Sequence, residues 1–250
     1  MAISVNAVYR TVLSIMNKEG RGYLTPDQFN KIGAQVQLDL LEKSFFDYNR
    51  AMNRKKSFVV NDEYGDLPRN IKEKIDILSK EATLSISNGS STLPVDLYRI
   101  INITSGSRTI NLQEVKKSEL SYINASKLTK PSLDYPVYYL ESLSANTNNQ
   151  ETASSSTINT NIKFLPTTLT SAQIDYVKIP QEPKWGFVRT DNNAYDYQPA
   201  SSYDFELHKS EQVNLVIKIL AHAGVIVKDP TLIQMAGNEE NKKIQLEITR

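Results

Sequence analysis

The chain has 250 residues, no cysteine and two histidines, and its 29 Lys and Arg stand against 28 Asp and Glu, for a formal net charge of +1. Without cysteine no disulfide framework, iron–sulfur cluster or thiolate zinc site can form, and two histidines leave little material for ordinary metal or acid–base chemistry. So even a charge balance gives no whole-molecule footprint for nucleic acid or anionic lipid, and no run of about 18 apolar residues offers a membrane span.

With 40% hydrophobic residues the chain can build a core. Only 9 residues are glycine, few for phosphate cradles and catalytic loops, and the balance leans towards a scaffold or binding protein over an enzyme. The opening MAISVNAVYR has neither a basic n-region nor a long apolar h-region, so a secretory leader is not expected.

In chain order, Val5, Val8, Tyr9, Val12 and Met16 recur at helical spacing and predict a first amphipathic helix, broken from Lys18 to Gly22. Thr25-Pro26-Asp27-Gln28 reads as a capping box with proline at the first helical position. The helix it opens can run to Arg54, about 45 Å. Phe29, Ile32, Val36 and Leu40 form one apolar stripe of that helix. Leu38, Leu41, Phe45, Tyr48 and Met52 form another, about 150° away around the axis. Full burial in a bundle explains two stripes. The sharper reading is that the second stripe faces a neighbouring subunit.

A third helix is expected on Ile71, Ile75, Leu78 and Ala82. From Thr83 the period falls to 2, and TLSIS, VDLYRIINIT, RTINLQEV, LSYIN, VYYLESL, INTNIKFLP, QIDYVKIP and KWGFV read as strands. Asn88-Gly89 and Ser105-Gly106-Ser107 signal hairpins. The polar stretch 142–161 reads as a long solvated loop or as an arm that orders against a partner, with Ser144, Asn148 and Thr157 as its contact candidates. Helix returns after Ser210, read as a cap, with Val213, Val216, Ile217 and Leu220 on one face and Gly224 as the stop. Asp229-Pro230 opens a short further helix, and Ile244, Leu246 and Ile248 alternate in a polar tail.

These elements predict an α+β chain. N- and C-terminal helices form a helical bundle, with an inserted antiparallel β-sandwich or small barrel. The expected division is 1–82 for the first part of the bundle, 83–190 for the β domain with its loop 142–161, and 191–250 for the helices and tail that complete the bundle.

No catalytic residue is nominated, since no nucleophile elbow, phosphate loop or HExxH pattern occurs. His222 reads as a packing or dipole residue at a helix end. The stretch Asn17 to Phe29 mimics a calcium-binding helix–loop–helix, with Asn17, Glu19, Arg21 and Gln28 at ligand positions. A cation at position five and a neutral amide at position twelve argue against calcium, and no metal or other cofactor is expected. Arg50, Arg54, Lys55 and Lys56 cluster at the end of the long helix, as a solvated terminus or as a contact for passing DNA.

Several stretches resemble one family. SVNAVYRTVLSIMNKEGRGYLTPDQFN, LPVDLYRI, SELSYINASKLTKP, YPVYYL, DYVKIPQEPKWG and FELHKSEQVNLVIKILAHAGVIVKDP follow one another through most of the chain. Together they are similar to the ring-forming head–tail connector and tail-tube virion proteins of short-tailed bacteriophages, particularly crAss-like phages. Pro183-Lys184-Trp185-Gly186 resembles that family's P-x-W block, with Trp185 expected in the β core. The 142–161 loop and the Ile244–Ile248 tail depart from the family pattern.

The resemblance implies a non-enzymatic virion protein, assembled in the bacterial cytoplasm as a ring of about twelve subunits below the portal. Its expected partners are further copies of itself, the portal and adjacent tail ring proteins, with double-stranded DNA passing transiently through the channel. The alternative is a peripheral tail accessory or receptor-binding module that uses the β domain.

Overall fold

A computed structural model describes residues 2–17, 24–53, 67–106, 110–141, 161–190, 194–227, 234, 237–239 and 241–242. The chain is mixed α and β, and it divides into two compact units. Met1–Ile77 and Pro180–Arg250 make the first, while the contiguous stretch Leu78–Ile179 makes the second.

In the first unit, helix α1 spans Val5–Asn17 and helix α2 spans Pro26–Asn53. The start of α2 is the capping box: the Gln28 amide N–H donates to Thr25 Oγ1 at 3.3 Å, and the Thr25 N–H donates to Gln28 Oε1 at 3.1 Å. Helix α1 is capped across the chain, its Val5 N–H donating to Asp204 Oδ1 at 2.9 Å. Helix α3, Leu67–Asp76, packs on α2, and helix α5, Gln212–Val227, packs on α1 and α2. (Helix α4 lies in the second unit.) The anticipated α3 does not reach Ala82, because Ser79–Ser85 pairs as a strand.

The core of this unit gathers Val8, Val12, Phe29, Val36, Phe205 and Leu215, all fully buried. Gly33 lets the Phe205 ring close on α2, since a Cβ there would stand 3.3 Å from the ring. Gln37 is buried but satisfied, donating to the Gln181 carbonyl at 2.8 Å and accepting from the Glu206 N–H at 3.1 Å.

Trp185 lies in this helical core, 4.5 Å from Tyr9 between ring centroids, which corrects its expected place in the β core. The hairpin of β8, Phe187–Arg189, and β9, Tyr195–Tyr197, follows it, and Tyr197 stacks on the indole at 5.5 Å. The apolar face of α5 also differs from expectation. Leu215, Ile219, Leu220 and Ala223 are buried, whereas Val213 is exposed. Ser210 is not the cap: His208 begins a short 3₁₀ turn over Lys209–Glu211, and its ring nitrogen accepts the Ser210 N–H. The helix runs past Gly224 to Val227.

The second unit holds two sheets. One has the order β1-β7-β3, built from Ser79–Ser85, Ser171–Lys178 and Leu97–Ser105, all antiparallel. The other has the order β2-β6-β5-β4, from Ser90–Thr92, Asn161–Leu165, Val137–Glu141 and Gln113–Glu114. Its β4–β5 pair is parallel, against the all-antiparallel expectation. Asn88 and Gly89 take positive φ, 51° and 72°, and turn the chain between β1 and β2. Alternate residues of both sheets share one core, with Leu84, Ile103 and Ile174 from the first and Tyr138, Ile162 and Phe164 from the second.

Between β4 and β5 the chain leaves the sheets. A 3₁₀ turn over Lys117–Glu119 leads into helix α4, Leu120–Ala125, and neither has a buried residue. LSYIN is therefore helical, not a strand. Five residues of alternation do not separate the two when no flanking core selects one.

Candidate interaction surface

Helix α2 begins with one side against its own unit and ends with much of its apolar surface in solvent. Its first stripe is buried at Phe29, Ile32, Val36 and Leu40. The second stripe divides. Leu41 is 2% exposed within the single chain, so it presents no surface to a neighbouring subunit. Phe45 and Tyr48 are half-buried, while Leu38 is exposed and Met52 is 58% exposed. Phe46, which the stripe reading passed over, is 66% exposed. Leu38, Asp39, Glu42, Phe46 and Asn49 are the exposed positions between 38 and 49, and they include no cation.

The second surface is the excursion 116–135. None of its twenty residues is buried. Tyr122 and Tyr135 are each 79% exposed, Leu128 is 97% exposed, and Leu133 also faces solvent. Lys116, Lys117, Lys127 and Lys130 accompany them against Glu119 and Asp134. Lysine stems beside large apolar side chains give a surface that is basic and sticky at once. The sequence signal was present in Leu128, Leu133 and Tyr135, large apolar residues set among Ser, Lys and Pro with no period to bury them.

A third feature is an ion-paired niche in the first unit. Lys74 Nζ meets Glu211 Oε1 at 2.5 Å, and Asn214 Nδ2 donates to Glu211 Oε2 at 2.6 Å, with Lys43 lining the same recess. Burial alone would push the Glu211 carboxyl up. The hydrogen bonds from Lys74 and Asn214, with the charges of Lys74 and Lys43, outweigh it and hold the group below its ordinary value. Both carboxylate oxygens are engaged from within the unit, so the niche acts as a structural clamp.

The remaining nominated residues are dispersed. Gln28 spends its side-chain oxygen on the α2 cap, and Asn17 ends α1, while Glu19 and Arg21 lie outside the described residues. Arg50 is exposed on α2, whereas Arg54, Lys55 and Lys56 lie outside the described residues. So do Ser144, Asn148 and Thr157 and the Ile244–Ile248 tail, while of the short helix expected after Asp229 only residue 234, which is helical, is described. Among the described residues, no three His, Asp or Glu side chains gather as a metal site, and no helix is long and apolar enough to cross a membrane. No protein-family model matches the sequence, and a search of curated proteins returns no match.

Proposed function

We propose that this chain is a non-enzymatic structural protein of a bacteriophage virion. It assembles with copies of itself as a ring, of about twelve subunits, in the head–tail connector or tail channel. The observation that carries the reading is the water-exposed display of large apolar side chains on two described surfaces: Leu38, Phe46 and Met52 on α2, and Tyr122, Leu128 and Tyr135 on the excursion. A monomer gains nothing by holding such surfaces in water, and subunit contacts use them. The family resemblance of the sequence supplies the setting, with the portal and adjacent ring proteins as neighbours and DNA in the channel. In this reading α1, α2 and α5 are the bundle, and the two sheets sharing one core are the inserted β-sandwich.

The test is the mass of the purified full-length protein by native mass spectrometry and sedimentation, alone and with portal protein. A closed ring near the expected copy number supports the reading. A stable trimer or monomer that binds a host glycan favours the peripheral accessory module instead.

A further inference from the structure

Helix α3 is attached to the first unit differently from its neighbours. The core of that unit takes Val5, Val8 and Val12 from α1 and Leu215, Ile219 and Ala223 from α5, but no residue of α3. Ile71 and Ile75, one helical turn apart on α3, are buried outside it. Leu41 is the buried apolar side chain of α2 that the same core leaves out. It follows Leu40 and so points about 100° away from the core stripe of α2. Since α3 packs on α2, two helices carry a small apolar contact that is separate from the main core.

One ion pair fastens α3 at this place. Lys74 reaches Glu211 on the turn that opens α5, and Lys43 and Asp47 of α2 line the same recess with Asn214 of α5. With ten residues, α3 is shorter than the ~12–15 that an isolated helix needs to persist in water, so its structure depends on staying docked. Helix α5 does not share that dependence. It has its own buried side chains in the core and its own tie to α2, from Lys218 Nζ to Asp39 Oδ2 at 2.5 Å.

We infer that α3 is a strap, closed over Leu41 and clasped by Lys74 and Glu211, that comes off α2 while the core of α1, α2 and α5 stays folded. Closed, it buries Ile71, Ile75 and Leu41 together. Open, it adds Leu41 to the exposed Leu38 and the half-buried Phe45 and Tyr48 on one continuous stripe of α2. The strap therefore sets how much of that apolar stripe meets solvent, whether or not the chain forms a ring. Such a low-stability element opens ahead of the unit that carries it.

Because the chain has no native cysteine, a thiol placed under the strap reports its opening. Leu41→Cys and, separately, Leu215→Cys are made in the full-length chain and labelled with dithiobis(nitrobenzoate) in urea below the unfolding transition. The position-41 thiol should label at least about tenfold faster than the position-215 thiol. Its rate should depend little on urea, because lifting a short helix exposes little surface. Adding Lys74→Ala should speed labelling at position 41 about thirtyfold, the effect of removing one partner of a largely buried pair. Hydrogen exchange of the unsubstituted chain makes the same comparison without a cavity at position 41. Amides 71–76 should exchange ahead of amides 215–223, again with a shallow urea dependence. If the amides of α3 and α5 instead exchange together, with the same urea dependence, α3 leaves only when the whole unit unfolds, and the strap is overturned. Early labelling at position 41 that Lys74→Ala does not change overturns the clasp and the proposal with it.

Discussion

The Lys74 ammonium and the Glu211 carboxylate stand 2.5 Å apart, the carboxylate side chain 8% exposed and the ammonium side chain 29% exposed. They join α3 to the turn that opens α5, two elements far apart in sequence. Removing one partner leaves a largely buried charge without its counter-ion. Lys74→Ala should therefore destabilise the first unit by about 2 kcal/mol, short of the ~3–5 for a fully buried pair because Lys74 still reaches water. Chemical denaturation at pH 7 measures this.

The same pair predicts acid sensitivity. Glu211 titrates below its ordinary value of 4.5 in the folded chain, so the unfolded chain takes up a proton first as the pH falls. The stabilisation is present above about pH 4.5 and is lost as the pH falls through the folded value. Glu211→Gln should remove this component from the pH-dependence of the unfolding free energy. An unchanged acid limb in that variant would assign the sensitivity to other carboxylates.

At the alkaline end the second unit should weaken instead. Burial pushes the Tyr176 phenol up to about 12, helped by its 2.9 Å hydrogen bond to Asp96 and by that carboxylate's charge. Burial likewise raises Tyr138 to about 12, with Glu114 adding its charge and a hydrogen bond. Both phenols favour the proton in the fold, so their stabilisation is complete below pH 10 and is lost as the pH rises towards 12. Tyrosinate absorbance should show a late-titrating component that Tyr138→Phe and Tyr176→Phe each reduce. Tyr176→Phe should also cost about 1 kcal/mol at neutral pH.

Local chemistry was legible in the sequence where one short motif decides the outcome. Thr25 and Gln28 make the reciprocal cap their spacing implies, and Asn88-Gly89 takes the two positive φ angles that its composition favours. What depends on distant partners was not legible. Strand β7 separates β1 from β3 by pairing residues about 90 and 70 positions away, which no local period encodes. The exposed set on α2 was half visible: the stripe named Leu38 and Met52, but it also set the buried Leu41 among the subunit-facing candidates and passed over Phe46.

Trp185 shows why a local reading misplaces a residue. Its neighbours 187–189 form a strand, yet polar side chains of two helices fix its position. The Trp185 N–H donates to Asn30 Oδ1 at 2.7 Å, and its indole N–H donates to Asn6 Oδ1 at 3.2 Å. Trp185→Ala should cost about 3–5 kcal/mol, since it removes a buried ring packed on Tyr9 and strands Asn6. Asn30→Ala should cost about 1–3 kcal/mol by leaving the Trp185 backbone unsatisfied. Far-ultraviolet circular dichroism in urea measures the first, and the fluorescence of the single tryptophan reports the second.

Helix α5 offers the sharpest test of which face is core. Val213, Leu215, Val216, Ile217, Ile219 and Leu220 make its first turns apolar nearly all round, so helical spacing alone admits two faces. The choice comes from outside the helix. Glu211 must turn inward to meet Lys74, and rotating the helix to bury Val213 would carry Leu215 and Ile219 out of the core that holds Phe205 and Val12. Leu215→Ala should therefore cost about 2–4 kcal/mol and Val213→Ala less than about 0.5, although both remove only methyl or methylene groups. Comparable losses from the two substitutions, measured by urea denaturation, would mean that Val213 is covered, and a covered Val213 would mark α5 as a further subunit contact.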